Sequence, residues 1–334
     1  VKLSKKLIFT LCLLFSLSFV FTGCKSSNLT KIKLAEVTHS IFYAPQYVAI
    51  SEGFFEEEGL DVELINTQGA DKTMAALLSG EVDIGFMGPE ASIYVYNQGR
   101  EDYAINFAQL TQRDGSFLVG REKDDNFSFD KLKGKTIIGG RKGGMPLMTL
   151  EYVLKNKGLE IGKDVIVRTD IQFAAMAGAF VGGEGDYVTL FEPTASALEK
   201  QSNGYIVASI GKESGYIPYT CYSATKSYIE KNPDIIQRFT NAIYKAQLWV
   251  NSNSPEAIAN SISNFFPEID LESLTEVVKR YKHQDTWSKT PILEKESLEH
   301  LMDIMQLAGE LDKRAPYEKI VTTEFAKNSV ENIK

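Results

Sequence analysis

Two glutamates sit where apolar strands run out. Glu90 follows Ile84-Gly85-Phe86-Met87 by way of Gly88 and Pro89, and Glu192 follows Tyr187-Val188-Thr189-Leu190-Phe191 directly. A carboxylate so placed accepts hydrogen bonds from an amine or ring N–H and repels an anion. Phe42, Tyr43, Phe173, Phe191, Tyr219 and Tyr222 supply rings on which a flat ligand can stack. The competing expectation is that about half of these aromatics fill cores, and that Glu90 only serves the dipole of the helix it opens.

The stretch "GGRKGGMPLMTLEYVL", residues 139–154, points to the opposite chemistry. Arg141, Gly143 and Gly144 precede a helix whose first turn holds Met145 and Pro146, so a cation and a helix N-terminus are directed alike, as in an anion site. The alternative is a solvated Arg141-Lys142 pair on a surface turn. Neither the Gly-x-Gly-x-x-Gly pattern nor the Lys-Ser/Thr ending of a phosphate loop occurs here.

Four more segments follow strands in the first half of the chain: His39-Ser40-Ile41-Phe42-Tyr43, Thr67-Gln68-Gly69-Ala70, Met87-Gly88-Pro89-Glu90 and Thr111-Gln112-Arg113. Gly69 and Gly88 allow close approach of backbone to a ligand, or serve only tight turns; Pro89 suits a first helical position. His39, His283 and His300 are too scattered to mark a metal centre, and no nucleophile elbow or Ser/His/Asp order is present. No cofactor is expected.

The elements that must position these residues are legible from Lys31 onward. "IKLAEV", "LDVELIN" and "VDIGFM" read as strands, with "APQYVAISEGFFEEEG" and "DKTMAALLSG" as the helices between them. After "YAINFAQLT" the grammar restarts with "KTIIGG", "MPLMTLEYVLKNKG", "DVIVRT", "FAAMAGAFVGG", "DYVTLF", "TASALEKQS" and "GYIVASIG". Alternation of this kind predicts an α/β fold of mostly parallel sheets covered on both faces. The C-terminal third is helical, with start signals at Asn232-Pro233-Asp234 and Ser254-Pro255-Glu256. Its apolar stripes must be buried, which places this tail back on the first unit. The expected division is a discontinuous lobe of residues 31–114 plus 220–334 and a second lobe of 115–219, with chain crossings near 111–119 and 217–224 acting as a hinge.

Residues 1–24 fall outside that division. Lys2, Lys5 and Lys6 precede an apolar run from Leu7 to Phe21, and Thr22-Gly23-Cys24 supplies a lipoprotein-like cleavage box. Cleavage before Cys24 would leave a lipidated cysteine, a tether over 25–30 and a protein held on the extracytoplasmic side of the cell membrane. An uncleaved anchor or a plain secretory leader are the other readings. Of three cysteines, Cys12 lies in the leader, so the exported domain would keep Cys221 alone and form no internal disulfide. A net charge of −8 argues against a nucleic-acid partner.

"HSIFYAPQYVAISEGFFEEEGLDVELI" resembles the opening of type II periplasmic-binding proteins of the sulfonate, nitrate, taurine and thiamine-pyrimidine group, the SsuA/THI5-like (NMT1-like) family. "ALLSGEVDIGFMGP" is similar to a second family segment and "GDYVTLFEP" to its echo, and the resemblance runs from about Ile32 to about Trp249. It implies a two-lobed, monomeric ABC-transporter substrate-binding lipoprotein that closes on a small molecule and hands it to a permease and its ATPase. It aims the four loops and the second-lobe residues at the cleft, giving a ligand set of His39, Ser40, Phe42, Tyr43, Gln68, Gly69, Met87, Gly88, Glu90, Arg113, Arg141, Gly143, Gly144, Met145, Phe173, Phe191, Glu192 and Tyr219. The glutamates and rings favour a nitrogen-containing aromatic such as a thiamine pyrimidine precursor, and Arg141 with its glycines favours a sulfonate, nitrate or similar anion. The iron-associated cysteine cluster of the pyrimidine-synthesising relatives is absent, which weighs against an enzyme. A sensory receptor domain is a further possibility.

Overall fold

A computed structural model describes residues 29–334; the leader and Cys24 lie outside the described residues. The first four strands are β1 (Thr30–Glu36), β2 (Leu60–Asn66), β3 (Ile84–Met87) and β4 (Ala104–Thr111). Next come β5 (Ser116–Gly120), β6 (Lys135–Ile138), β7 (Val165–Arg168), β8 (Tyr187–Phe191) and β9 (Tyr205–Ser209), and β10 (Thr220–Thr225) closes the series. They form two five-stranded sheets of matching order, β2-β1-β3-β10-β4 and β7-β6-β8-β5-β9. In the first, β1 lies parallel to β2 and β3, whereas β10 runs antiparallel to β3 and β4. The second repeats the pattern, with β5 as the antiparallel member. The α/β architecture anticipated from strand and helix alternation is the one observed.

Central strands show why the sequence reads as it does. All four residues of β3 are buried, as a strand covered on both faces requires. The long tail helix Pro233–Ser252 buries Ile236, Phe239, Ile243, Ala246 and Val250, a stripe of alternating three- and four-residue steps. Phe239 meets Phe55 and Tyr222 at ring separations of 4.9 and 5.0 Å, so the stripe closes over the first sheet. The start at Ser254 is a side-chain cap, its hydroxyl accepting from the Ala257 N–H. Asn232 does otherwise: its amide donates to the Tyr228 carbonyl, and Pro233 alone sets the start of the next helix.

Two segments connect the sheets, 112–115 between β4 and β5 and 210–219 between β9 and β10. They are bound to each other and to the tail. The Ile217 N–H donates to the Gln112 carbonyl at 3.0 Å, and the Gln112 N–H donates to Thr286 at 2.8 Å. Gln284 donates its amide to the Asp114 carbonyl at 2.7 Å. The Trp287 indole N–H donates to the Phe42 carbonyl at 2.9 Å, which fastens the loop after β1 to the same place.

Packing at the crossings leaves no room for added carbon. A Cβ on Gly211 would lie 2.0 Å from the Asp114 carbonyl oxygen, a backbone atom that cannot swing aside. Gly178 has nothing within 4 Å of the corresponding position and lies inside a helix, Met176–Val181. Gly211→Ala is therefore expected to destabilise by about 1–3 kcal/mol through overpacking. Gly178→Ala is expected to be neutral or to stabilise by up to about 1 kcal/mol. Urea unfolding midpoints check the pair, and equal midpoints for both variants would contradict the packing described.

Candidate functional site

The carboxyl ends of β1, β3 and β8 meet between the sheets, and each is followed by a segment that turns toward the other lobe. After β1, Ser40 is extended and accepts from the Phe42 N–H at 3.2 Å, which opens the short turn Ile41–Tyr43. Its own hydroxyl donates across the cleft to the Glu192 carbonyl at 2.9 Å. Phe42 is buried and touches Tyr43, Phe191, Tyr219 and Tyr281 at ring separations of 5.4 to 5.6 Å. A Cβ on Gly115 would lie 2.5 Å from that ring, so the first crossing passes flush against it.

After β3 the chain does something costly. Glu90 begins the helix Glu90–Asn97, with Pro89 at the cap rather than in the first turn. The Glu90 side chain folds back over the strand end, so that a Cβ on Gly88 would fall 1.9 Å from its Oε2. Glycine lets that side chain, two residues away, lie back against the backbone; no turn angle calls for it. The carboxyl is 5% exposed, and Oε2 has no hydrogen-bond partner. Burial pushes its pKa up to about 7, against a backbone hydrogen bond and the Arg141 charge, which pull it down. Tyr43, Tyr94, Tyr219 and Cys221 all feel the Glu90 charge, which defines the polar centre of an otherwise aromatic wall.

Glu192 meets the opposite fate. Its carboxylate accepts from the Ser196 N–H and hydroxyl, each at 2.9 Å, and is paired with Arg280 of the tail helix Leu271–His283. Both oxygens are taken by protein. Of the two glutamates singled out in the sequence, only Glu90 keeps an oxygen without a partner.

The other expected residues divide in the same way. Tyr43, Gly88, Phe191 and Tyr219 join Ser40, Phe42 and Glu90 at the seam, with Met87 buried beneath as part of β3. From the second lobe, Gly143 accepts the Tyr94 hydroxyl at 3.4 Å, and Gly144 leads into Met145 of the helix Met145–Asn156. Arg141 lies at the rim, half exposed, in a 3.1 Å ion pair with Asp71 of the first lobe. Gly69 packs against that same Asp71 carboxylate, while Gln68 is exposed. Phe173 is exposed and touches the cleft only through Phe191, 5.8 Å away.

Three residues are committed elsewhere. The His39 Nδ1 is 3.0 Å from Glu36 and its Nε2 2.8 Å from the Phe265 carbonyl, and the ring stacks on Phe266 at 4.7 Å. The Glu36 carboxylate, as hydrogen-bond partner, raises its pKa. Arg113 lies over the Tyr216 ring at 4.0 Å and donates to the Gly211 carbonyl, joining the two crossings. Tyr222 stacks on Phe86 in the core, its hydroxyl donating to Gln46.

Tyr94 and Asp114 were not foreseen. Tyr94 is four residues beyond Glu90 on one helix face, a spacing that the sequence does carry. Asp114 is fully buried, and its carboxyl accepts from the Ser116 N–H at 2.6 Å, from the Ser116 hydroxyl at 2.5 Å and from Thr149. Burial raises its pKa, and these bonds hold it down in part. Among the described residues, no group of three or more His, Cys, Asp and Glu is placed to hold a metal ion. No helix among them is long and apolar enough to cross a membrane.

Residues 26–264 match the model of the NMT1-like family. YtlA of Bacillus subtilis (strain 168), named as a candidate binding protein, is 51% identical over 311 residues, 93% of each chain. A 4-amino-5-hydroxymethyl-2-methylpyrimidine phosphate synthase of Aspergillus parasiticus is 26% identical over 222 residues, 63% of each chain. Among solved structures, the alkanesulfonate-binding protein SsuA from Xanthomonas axonopodis pv. citri, bound to MOPS, has a TM-score of 0.70 at 16% identity, covering 88% of this chain and 98% of that one. That last likeness is one of fold.

The buried Glu90 carboxyl makes stability depend on pH. Its pKa is about 7 folded against an ordinary 4.5, so the folded state binds the extra proton between those values and stability falls as pH rises through them. Below about 4.5 both states are protonated and the burden disappears. In the ligand-free protein, Glu90→Gln is thus expected to gain on the wild type by about 3 kcal/mol between pH 4.5 and pH 8. Chemical denaturation at a series of pH values measures the difference, and a constant gap across the range would refute the origin given.

Proposed function

The chain belongs to the NMT1-like family, and we propose that it is an extracytoplasmic binding protein that captures a small nitrogen-containing aromatic molecule and delivers it to an ABC permease and its ATPase subunits. The observation that carries the ligand class is the Glu90 carboxylate, buried without a partner among Tyr43, Tyr94 and Tyr219. An exocyclic amine or ring N–H supplies what that oxygen lacks, and the rings supply a stacking surface. A thiamine pyrimidine precursor has both features. The lipidated Cys24 would hold a monomeric receptor at the membrane, outside the cytoplasm.

Capture would proceed by closure of residues 115–219 onto residues 31–114 plus 220–334. The rim gives this motion little driving force. The Arg141–Asp71 pair is 51% and 63% exposed, and such a pair is worth about 0–1 kcal/mol. Other bonds between the same two bodies are the Ser40 and Tyr94 hydroxyls on single carbonyls and, from the tail, Arg280 on Glu192 and Glu199 and Lys200 on Asp270. Contacts with the ligand would therefore shift the open to closed balance that a permease senses.

Arg141 and the helix start at Gly143-Gly144 favour a second reading, an aliphatic sulfonate, nitrate or similar anion. Its weakness is that Arg141 is already paired with Asp71. The similarity to a synthase raises a third, chemistry on the same fold. Three measurements separate them. Thermal unfolding of the purified protein is expected to shift upward with 4-amino-5-hydroxymethyl-2-methylpyrimidine and not with an alkanesulfonate. Glu90→Gln should abolish that shift while Arg141→Ala retains it, and the reverse pattern would establish the anion. The bound molecule should be recovered unchanged by mass spectrometry; turnover would make the protein an enzyme.

A further inference from the structure

At the end of β1 a second buried carboxylate, Glu36, is fully bonded, and its bonds lead to an imidazole that solvent can reach. Glu36 is 1% exposed. Its Oε2 accepts from the Gln46 amide at 2.8 Å and from the Tyr47 hydroxyl at 2.9 Å, and its Oε1 lies 3.0 Å from the His39 Nδ1. The other ring nitrogen, Nε2, is 2.8 Å from the Phe265 carbonyl, which can only accept. Phe265 belongs to the tail turn Ser263–Phe265. The His39 ring stacks on Phe266 and meets Tyr47 at a ring separation of 5.0 Å, yet its side chain stays 36% exposed.

A neutral imidazole carries one N–H and one lone pair, and here both nitrogens face acceptors. With the single proton on Nε2 for Phe265, Nδ1 turns a lone pair toward the Glu36 carboxylate. The Tyr47 hydroxyl, 3.1 Å from Nδ1, can meet that lone pair only by leaving Glu36. With a proton at each nitrogen every group is satisfied: Glu36 receives His39, Gln46 and Tyr47, Phe265 receives His39, and the Tyr47 oxygen accepts the Ser40 N–H at 3.3 Å. The titratable groups bearing on the ring are Glu36 of β1, Tyr47 of the helix Ala44–Ser51 and Glu268 of the tail. The hydrogen bond to Glu36 raises the His39 pKa, burial opposes it, and the Phe265 carbonyl with the Glu36 and Glu268 charges adds to the rise.

Ser40, the next residue, connects this group to the lobes. Its N–H is held by Tyr47, its side-chain oxygen caps the turn Ile41–Tyr43, and its hydroxyl donates to the Glu192 carbonyl of the second lobe. We propose that His39 is a positioning residue: doubly protonated, it pins the loop Ser40–Tyr43 to β1 and to the tail, and on losing a proton it loosens that loop and its contact with Glu192. Its exposure lets the proton leave without unfolding. The folded pKa lies above 6.5, so the bridge stabilises the folded state in full below about 6.5 and the contribution is lost as pH rises through the higher folded value. The effect of Glu90 falls in a lower window, between 4.5 and about 7. His39 thereby adds a pH control to the receptor proposed above, whichever molecule that receptor captures.

Two measurements on the ligand-free protein test this. Nitrogen NMR of the imidazoles should find both His39 nitrogens protonated at about pH 6 and a titration above 6.5. A neutral ring at that pH, or a titration at or below 6.5, overturns the bridge. Amide hydrogen exchange, corrected for the intrinsic pH dependence of exchange, should show the Ser40 and Phe42 N–H groups losing about 10-fold in protection as His39 titrates. In His39→Gln those two amides should be poorly protected at every pH, while the distant helix Pro233–Ser252 keeps its wild-type protection. A flat profile in the wild type, or the same fall in His39→Gln, overturns the role of His39. Should the variant not fold, the NMR titration of the wild type still decides, and neither result touches the ligand reading of Glu90.

Discussion

A carboxylate buried with one oxygen unmet is the constraint around which the cleft is arranged. Glu90 sits at the end of a fully buried strand, and everything near it either makes room for the side chain or declines to neutralise it. Gly88 gives up its Cβ so that the carboxylate can fold back. Arg141, the cation whose charge reaches it, is paired at the rim with Asp71. Glu192, which follows β8 directly and precedes the cap Pro193, shows the ordinary resolution for a buried carboxylate near a strand end, two bonds from Ser196 and a pairing with Arg280. Of these two buried carboxylates one has both oxygens met by protein and the other keeps one unmet, which is the contrast on which the proposed ligand role of Glu90 rests.

The crossings connect that site to the rest of the fold. Phe42 lies at their meeting point, with Gly115 against its face, Trp287 bonded to its carbonyl, and Phe191, Tyr219 and Tyr281 around its edge. Tyr281 extends the junction, donating to the Gly115 carbonyl and accepting from the Glu192 N–H. Loops from both lobes and the helical tail therefore share one aromatic centre. The tail is not a passive cover. Arg280 and Tyr281, neighbours on its helix, hold the second lobe's β8 end, whereas Trp287 holds the first lobe's opening loop.

Much of this architecture was legible because it depends on local pattern. Strand and helix alternation specified the sheets, and apolar stripes specified the buried faces of the tail helices. The division of labour within the site was not legible, since it depends on partners far away in sequence. Nothing near Glu192 announces Arg280, 88 residues on. Nothing near His39 announces the Phe265 carbonyl that occupies its second nitrogen. Tyr222 and Tyr219 are alike as letters three positions apart, yet one hydroxyl reaches Gln46 in the core and the other faces Asp114 at the crossing. Asp114 was overlooked because its ligands, Ser116 and Thr149, come from two different elements.

The same unmet bonds account for selectivity better than any rim contact does. Under the proposed closure, the burial of Glu90 costs free energy that the Arg141–Asp71 pair at the rim is too exposed to repay. Closure is then favourable only around a molecule that replaces the water with bonds of its own. A ligand of the right size but wrong polarity gains the stacking of Tyr43 and Phe191 and still leaves a desolvated carboxylate without a partner. Such a ligand is rejected by the incompleteness of the closed state, not by a clash, so shape alone does not open the way to transport. Under the proposed function, the buried Glu90 carboxyl that weakens the ligand-free fold is also the group that would give the receptor its discrimination.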